Sequence, residues 1–139
     1  MIVYLDSSVL LRIVLGQSGA LPEWKQISRA VASGLVEVEC LRTLDRVRLR
    51  SGVSGHEVAL RREAVFRLLE AVDVVEPSRA VLARAAQPLP TELGTLDAIH
   101  LATALLWREG SGDDLVMATH DGALAMAARA FGLRTIGAP

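Results

Sequence analysis

The stretch MIVYLDSSVLLRIVL, residues 1–15, decides how the fold begins. Its first five residues form an apolar run with β-branched side chains, a pattern that predicts a buried strand. Asp6 follows this strand directly, and Ser7 or Ser8 could then act as the N-cap of an apolar helix. The order strand, acid, helix is typical of domains with a parallel sheet, in which sites form at the carboxyl ends of the strands.

The alternation of strands and helices continues along the whole chain. The further predicted strands are residues 72–77, 115–118 and 133–138, and the further predicted helices are 35–50, 57–71, 78–86, 95–107 and 121–131. No internal repeat, low-complexity segment or domain linker interrupts this order. We therefore predict a single domain over residues 1–139, with a three-layer α/β/α fold around a central, mostly parallel sheet.

The composition excludes several classes of protein. Hydrophobic residues are 51% of the 139 and charged residues 22%, which indicates a globular chain rather than a disordered one. The net charge of -1 provides no overall basic field for nucleic acid, so a phosphate-binding surface would have to be local. The single cysteine, Cys40, allows neither an internal disulfide nor a cysteine zinc site, which fits a reducing cytoplasm. Asp6 comes too early for a signal-peptide core, and arginines break the long apolar stretches, so neither export nor a membrane span is expected.

Three aspartates occupy positions where helices are predicted to begin. Asp6 and Asp121 each follow a predicted strand, and Asp97 lies near the start of the apolar helix TLDAIHLATALLW, residues 95–107. Each could simply be an acid that the helix dipole stabilises, and Thr119 could cap the helix after Asp121. However, a helix that is apolar on every side is normally buried, and a buried carboxylate needs a partner. His100, three residues after Asp97, could supply a hydrogen bond or a charge, although it is also expected as a core or supporting group.

Glu39 lies in the middle of the predicted helix 35–50. It could form an ordinary surface pair with Arg42, and Glu37 competes with it as a candidate but lies about 200° away around the helix. Carboxylates from several elements that meet at one edge of a sheet would raise each other's pKa, a conflict that a divalent cation removes. Ligation by oxygen alone suits Mg²⁺ or Mn²⁺ rather than zinc.

Four segments in this order and spacing resemble PIN-domain proteins, and most closely the VapC toxins of bacterial toxin–antitoxin pairs. The segments are VYLDSSVLLRI, VASGLVEVECLRTLDRVRL, LGTLDAIHLATAL and MATHDGALAMAARAFGLRTIG, and together they span nearly the whole chain. The resemblance implies a metal-dependent endoribonuclease whose four site acids are Asp6, Glu39, Asp97 and Asp121. Asp6 and Asp97 would chiefly hold the Mg²⁺ or Mn²⁺ ion. Some relatives have a further acid just after the fourth, where this chain has Gly122 and Ala123.

The family resemblance also implies a mechanism and partners. Water would attack the phosphorus of single-stranded RNA and leave a 5′-phosphate, with Glu39 and Asp121 positioning that water or a second ion. Family members are usually homodimers, and a cognate antitoxin silences them by placing its tail in the acidic cleft. In this chain an i, i+4 ladder of arginines could contact the RNA backbone, or could equally be a solvated basic face: Arg42, Arg46 and Arg50.

Two readings from other classes remain as alternatives. A phosphotransfer domain could use Asp6 as a nucleophile. A haloacid-dehalogenase-type site would have a second acid two residues later, where this chain has Ser8. A receiver domain would have a lysine late in the chain, but Lys25 is the only lysine. The second alternative is a catalytically weak, PIN-shaped module that binds a protein partner. Loss of site acids would be its signature, and none of the four acids is lost.

Overall fold

The computed structural model describes residues 1–139 as a five-stranded sheet with helices packed on it. The strands are β1 (Ile2–Leu5), β2 (Arg29–Ser33), β3 (Asp73–Val75), β4 (Leu115–Ala118) and β5 (Arg134–Ile136). The helices are α1 (Ser7–Val14), α2 (Leu35–Ser51), α3 (Gly55–Glu70), α4 (Arg79–Ala85), α5 (Thr95–Ser111) and α6 (Gly122–Ala130), and a 3₁₀ helix covers Pro22–Gln26. All the strand pairs are parallel, in the order β3-β2-β1-β4-β5. The predicted α/β fold with a central parallel sheet is confirmed.

The central strand β1 shows why both faces of the sheet are covered. Successive side chains of a strand point to opposite faces, and Val3, Tyr4 and Leu5 are all buried. Val3 and Leu5 belong to a hydrophobic cluster with residues of α1, α2 and α3, whereas Tyr4 belongs to a second cluster with residues of α5 and α6. A strand apolar on both faces therefore specifies two layers of helices around one sheet.

The strand order reverses direction at β1, and this position creates the crevice in which the site lies. After β1 the chain builds β2 and β3 on one side, and it later adds β4 and β5 on the other side. The backbone N–H of Asp6 donates to the carbonyl of Ala118 at 3.0 Å, so the carboxyl ends of β1 and β4 lie side by side. In open parallel sheets this switch point is where ligands bind.

Strand β2 was not predicted, because its sequence RAVAS contains an arginine and a serine and runs directly into a helix. Parallel pairing with both β1 and β3 holds it in place instead of a strong local preference.

The helix caps also differ from the prediction at three places. Neither Ser7 nor Ser8 caps α1: Asp6 occupies the cap position, and its side chain makes no capping hydrogen bond. Thr119 does not cap α6, because Asp121 does, and α3 begins two residues earlier than predicted, after the cap Ser54.

None of the helices combines the length and the apolar character that crossing a membrane requires.

Candidate active site

Asp6 is buried at the carboxyl end of β1, with 3% of its surface exposed, and one of its two carboxylate oxygens is fully engaged. Oδ2 accepts hydrogen bonds from Ser8 Oγ at 2.6 Å and from Thr119 Oγ1 at 2.9 Å. Oδ1 accepts no hydrogen bond from the chain and lies 3.8 Å from His100 Nε2. The carboxylate is therefore held in one orientation, with Oδ1 left available to a ligand.

Backbone groups fix the direction of these two hydroxyl bonds. Ser8 Oγ accepts the backbone N–H of His120 at 3.0 Å, and Thr119 Oγ1 accepts the backbone N–H of Asp121, also at 3.0 Å. Each hydroxyl has one hydrogen, and it points that hydrogen at Asp6 while it receives the backbone N–H. The sequence indicated Ser8 and Thr119 as possible helix caps, and no local pattern shows that both hydroxyls bind Asp6.

Glu39 lies on α2 and reaches the same crevice. Its Oε1 lies 2.5 Å from His100 Nε2, and its Oε2 accepts a hydrogen bond of 3.3 Å from Ser7 Oγ. The expected alternative pair with Arg42 does not form, because Arg42 binds Asp45 instead. Glu37, the competing candidate on this helix, is exposed and lines a different cavity.

Asp97 lies in the first turn of α5 and is only partly exposed. Its side chain makes no hydrogen bond within the chain, so it is not a helix cap. Partial burial is the largest cause of a raised pKa for Asp97, which reaches about 6 instead of 3.8. The other acids whose negative charges add to this rise are Asp121, Asp6 and Glu39. The structure thus brings the four predicted acids into one electrostatic environment.

Asp121 has two roles at this edge of the sheet. It is the N-cap of α6, where one of its carboxylate oxygens accepts the backbone N–H of Leu124 at 2.9 Å. Its side chain is exposed, and its charge is the largest contribution of any single acid to the raised pKa of Asp97. The sequence predicted an acid at this helix start with Thr119 as the cap, whereas Asp121 is itself the cap, and this role coexists with membership of the cluster.

The donor atoms of the cluster fit a hard divalent cation, but they do not form a closed site. No group of three or more histidine, cysteine, aspartate or glutamate side chains is arranged so that it could hold an ion. One oxygen each of Asp6 and Asp121, and both oxygens of Glu39, are already bonded to protein groups. The unbonded carboxylate oxygens of Asp6 and Asp97 are hard ligands of the kind that Mg²⁺ and Mn²⁺ prefer. Burial and then the negative charges of the other acids raise the pKa of Asp97, and a cation would offset both effects.

His100 lies behind the acids with none of its side-chain surface exposed. Besides Glu39, it contacts the hydroxyl of Tyr4 through Nδ1 at 2.7 Å. Burial would lower the pKa of His100, but the hydrogen bond and the charge of Glu39, followed by the charge of Asp6, outweigh burial and raise it. Burial and the charge of Asp6 raise the pKa of Tyr4, so its phenol stays protonated.

The fold and this acidic edge define the class of protein. The chain belongs to the PIN domain family, whose model matches residues 3–128. Over 138 residues it is 35% identical to Ribonuclease VapC46 of Mycobacterium tuberculosis (strain ATCC 25618 / H37Rv), an alignment that covers 96% of this chain and 95% of that protein. The resemblance to VapC toxins seen in the sequence motifs is thereby confirmed.

Two solved structures share the fold at low sequence identity. A toxin–antitoxin complex from Klebsiella pneumoniae has a TM-score of 0.65 and 18% identity, covering 88% of this chain and 89% of that one. VapBC2 from Rickettsia felis, bound to a DNA fragment from its promoter, has a TM-score of 0.66 and 10% identity, covering 97% of both chains. These likenesses extend over nearly the whole domain.

Proposed function

We propose that this protein is a Mg²⁺- or Mn²⁺-dependent endoribonuclease and the toxin of a type II toxin–antitoxin pair, acting in the cytoplasm. The observation that carries the proposal is the convergence of Asp6, Glu39, Asp97 and Asp121 at the switch point of the sheet. There, burial and then the charges of the other three acids raise the pKa of Asp97. The relative named as a ribonuclease supports the choice of reaction, because it aligns with this chain end to end.

The roles of the acids follow from which carboxylate oxygens can still bind an ion or accept a hydrogen bond. Asp6, through Oδ1, and Asp97 would hold the divalent ion, which when bound would polarise a phosphoryl oxygen and lower the pKa of a water molecule. Glu39 Oε2, beside the hydroxyl of Ser7, would orient the attacking water by accepting its hydrogen. Asp121 would add negative charge at the outer side of the cluster. Attack of water on phosphorus would break the bond to the 3′ oxygen and leave a 5′-phosphate.

A cavity of about 360 Å³ adjoins Glu39 and would supply a path for RNA to the acids. Its lining residues are Ser7, Leu11, Val38, Glu39, Arg42, Thr43, Arg46 and Leu96. Arg46 bonds only to the Thr43 hydroxyl, so its charge is available to a phosphate, whereas Arg42 is shared with Asp45. Val38 and Leu96 are about half exposed and would pack against an unstacked base. This favours single-stranded RNA, with Arg46 rather than Arg50 as the main basic contact.

The proposed partners are a cognate antitoxin and a second copy of this chain. The structural neighbours that are toxin–antitoxin complexes support an antitoxin, whose tail would occupy the acidic cleft. The homodimer rests on the resemblance to VapC toxins alone. The other function considered is a catalytically weak PIN-shaped module that only binds a partner.

The test is a cleavage assay on single-stranded RNA with protein purified free of antitoxin. We expect cleavage with Mg²⁺ or Mn²⁺, none with a chelator, and 5′-phosphate ends on the products. Asp6→Asn and Asp97→Asn should each lower the rate by at least about a hundredfold, because each removes a charged ligand. Residual activity equal to wild type in both variants would exclude the proposed site, and an inactive wild-type protein would favour the interaction module.

A further inference from the structure

A buried chain of polar groups runs from the middle of the sheet to the acidic site. The backbone N–H of Ser33, at the end of β2, donates to the hydroxyl of Tyr4 at 3.2 Å. That hydroxyl lies 2.7 Å from His100 Nδ1, and the opposite ring nitrogen, Nε2, lies 2.5 Å from Glu39 Oε1. Ser33, Tyr4 and His100 are fully buried, so Glu39 is the only member of the chain that reaches the surface.

The hydrogen-bonding groups determine the direction of the chain. The Tyr4 oxygen already accepts the N–H of Ser33, and its own hydrogen is free to bond His100 Nδ1. With Nδ1 as an acceptor, the neutral imidazole carries its hydrogen on Nε2 and donates it to Glu39. The doubly protonated ring also donates from Nε2. The bond to Glu39 therefore persists in both protonation states of His100.

An ordinary core position does not explain this arrangement. Burying a tyrosine hydroxyl and an imidazole costs free energy unless both are bonded, and an apolar residue of similar volume would avoid that cost. The bonds of the chain instead orient the His100 ring so that Nε2 faces the acids. Nε2 contacts Glu39 and lies 3.8 Å from Asp6 Oδ1. The ring thus stands between two carboxylates that come from different elements of the fold.

We propose that His100 is a positioning residue that fixes the carboxylate of Glu39 for RNA hydrolysis, and that Tyr4 holds the His100 ring from behind. The imidazole binds Oε1, and Oε2, which accepts one hydrogen bond from Ser7, keeps a second lone pair for a hydrogen of the attacking water. In the neutral ring, the Tyr4 hydroxyl bonds Nδ1 and leaves Nε2 as the nitrogen that donates. This inference rests on the proposed function, since Glu39 needs a fixed position only if it takes part in a reaction.

The experiment compares three substitutions in the full-length protein. His100→Leu removes both ring bonds at similar volume, His100→Gln keeps an N–H donor, and Tyr4→Phe removes the hydroxyl that bonds Nδ1. Cys40→Ala is the matched control, because Cys40 is buried next to Glu39 and makes no bond in the chain. We expect His100→Leu to lower kcat about 10–100-fold with KM for RNA unchanged, His100→Gln to recover part of the loss, and Cys40→Ala to retain kcat.

A second readout does not depend on activity. Long-range ¹H–¹⁵N spectra of metal-free wild-type protein should show His100 with a hydrogen on Nε2, and Tyr4→Phe or Glu39→Gln should shift that signal. A His100 ring without hydrogen on Nε2 would overturn the inference. A kcat equal to that of wild type in both His100→Leu and Tyr4→Phe would also overturn the inference. The proposed function would be unaffected by that result if the wild-type protein still cleaved RNA only in the presence of metal. Wild-type protein inactive towards RNA would instead overturn the proposed function, with the spectra reporting separately on the hydrogen-bonded chain.

Discussion

Thr119 Oγ1 donates a hydrogen bond of 2.9 Å to Asp6 Oδ2 and joins residues that are 113 positions apart in the sequence. Thr119 directly follows β4 and Asp6 directly follows β1, so the bond crosses the crevice between two adjacent parallel strands. Together with the bond from Ser8, it holds the carboxylate of Asp6 with Oδ1 free. The sheet topology therefore orients a side chain, as well as bringing acids together.

The first prediction concerns the two hydroxyls that orient Asp6. Ser8→Ala or Thr119→Val should weaken Mn²⁺ binding and lower kcat about 10–100-fold, because Asp6 becomes free to rotate. Each variant also leaves a backbone N–H without its partner, at a cost of about 1–3 kcal/mol of unfolding free energy. Calorimetric titration with Mn²⁺, cleavage rates and denaturant unfolding measure the three effects.

Ser78→Ala is the control, because it should lower the free energy of unfolding without changing the orientation of the Asp6 carboxylate. Ser78 caps α4 through the backbone N–H of Val81, so its removal should cost about 1 kcal/mol. The metal affinity and kcat of the Ser78→Ala variant should equal those of wild type. If Ser78→Ala lowered the metal affinity as much as Ser8→Ala did, the proposed orienting role of Ser8 would be wrong.

The second prediction concerns the pH dependence of stability in the metal-free protein. Folded Asp97 keeps its proton up to a pKa of about 6, whereas the unfolded chain releases it near 3.8. Between these values the folded state binds more protons, so the free energy of unfolding should fall as the pH rises. The raised pKa of His100 acts in the same direction at higher pH: its contribution is complete below 6.5 and is lost as the pH passes the folded pKa.

Urea unfolding in a chelator over about pH 4 to 8 measures this slope. Asp97→Asn should flatten the fall below pH 6 and leave most of the fall at higher pH in place, because Glu39 and Asp6 raise the pKa of His100 more than Asp97 does. An unchanged slope in this variant would show that Asp97 has an ordinary pKa and does not share the charge of the other acids.

The third prediction concerns the basic side of the cleft. Arg46→Gln should raise KM for single-stranded RNA several-fold with kcat unchanged, and should reduce by about one the slope of log affinity against log salt. Arg50→Gln is the matched control, since Arg50 lies one turn further along α2 and does not line the cavity. RNA binding followed by fluorescence anisotropy in a chelator checks both variants. Equal effects would mean that the whole arginine face binds RNA without a defined path.

The sequence predicted the parts of the fold that have a strong local pattern. β1 and β4 are apolar throughout, and their burial on both faces follows directly. β2 could not be recognised, since its position depends on pairing with β1 and β3 rather than on its own residues. The three aspartates were predicted from their places at strand and helix ends, and the family motifs indicated them together with Glu39 in the middle of α2.

The sequence indicated His100 as a possible supporting group, but the contacts of the supporting groups could not be predicted, for a physical reason. The contact between Tyr4 and His100 joins residues 96 positions apart, and nothing in the local pattern of either residue indicates the other. The bond between His100 and Glu39 likewise depends on how α2 and α5 pack at the sheet. A tertiary fold fixes such pairs, whereas periodicity reports only which face of an element is buried.

The central claim is that Asp6 and Asp97 bind one divalent ion, and crystals soaked in Mn²⁺ test it most directly. The anomalous difference map should show a peak about 2.0–2.6 Å from Asp6 Oδ1 and from one oxygen of Asp97. Crystals of the Asp97→Asn variant, soaked in the same way, should lack the peak or show it much reduced. A fully loaded wild-type crystal with no peak between these two residues would contradict the account.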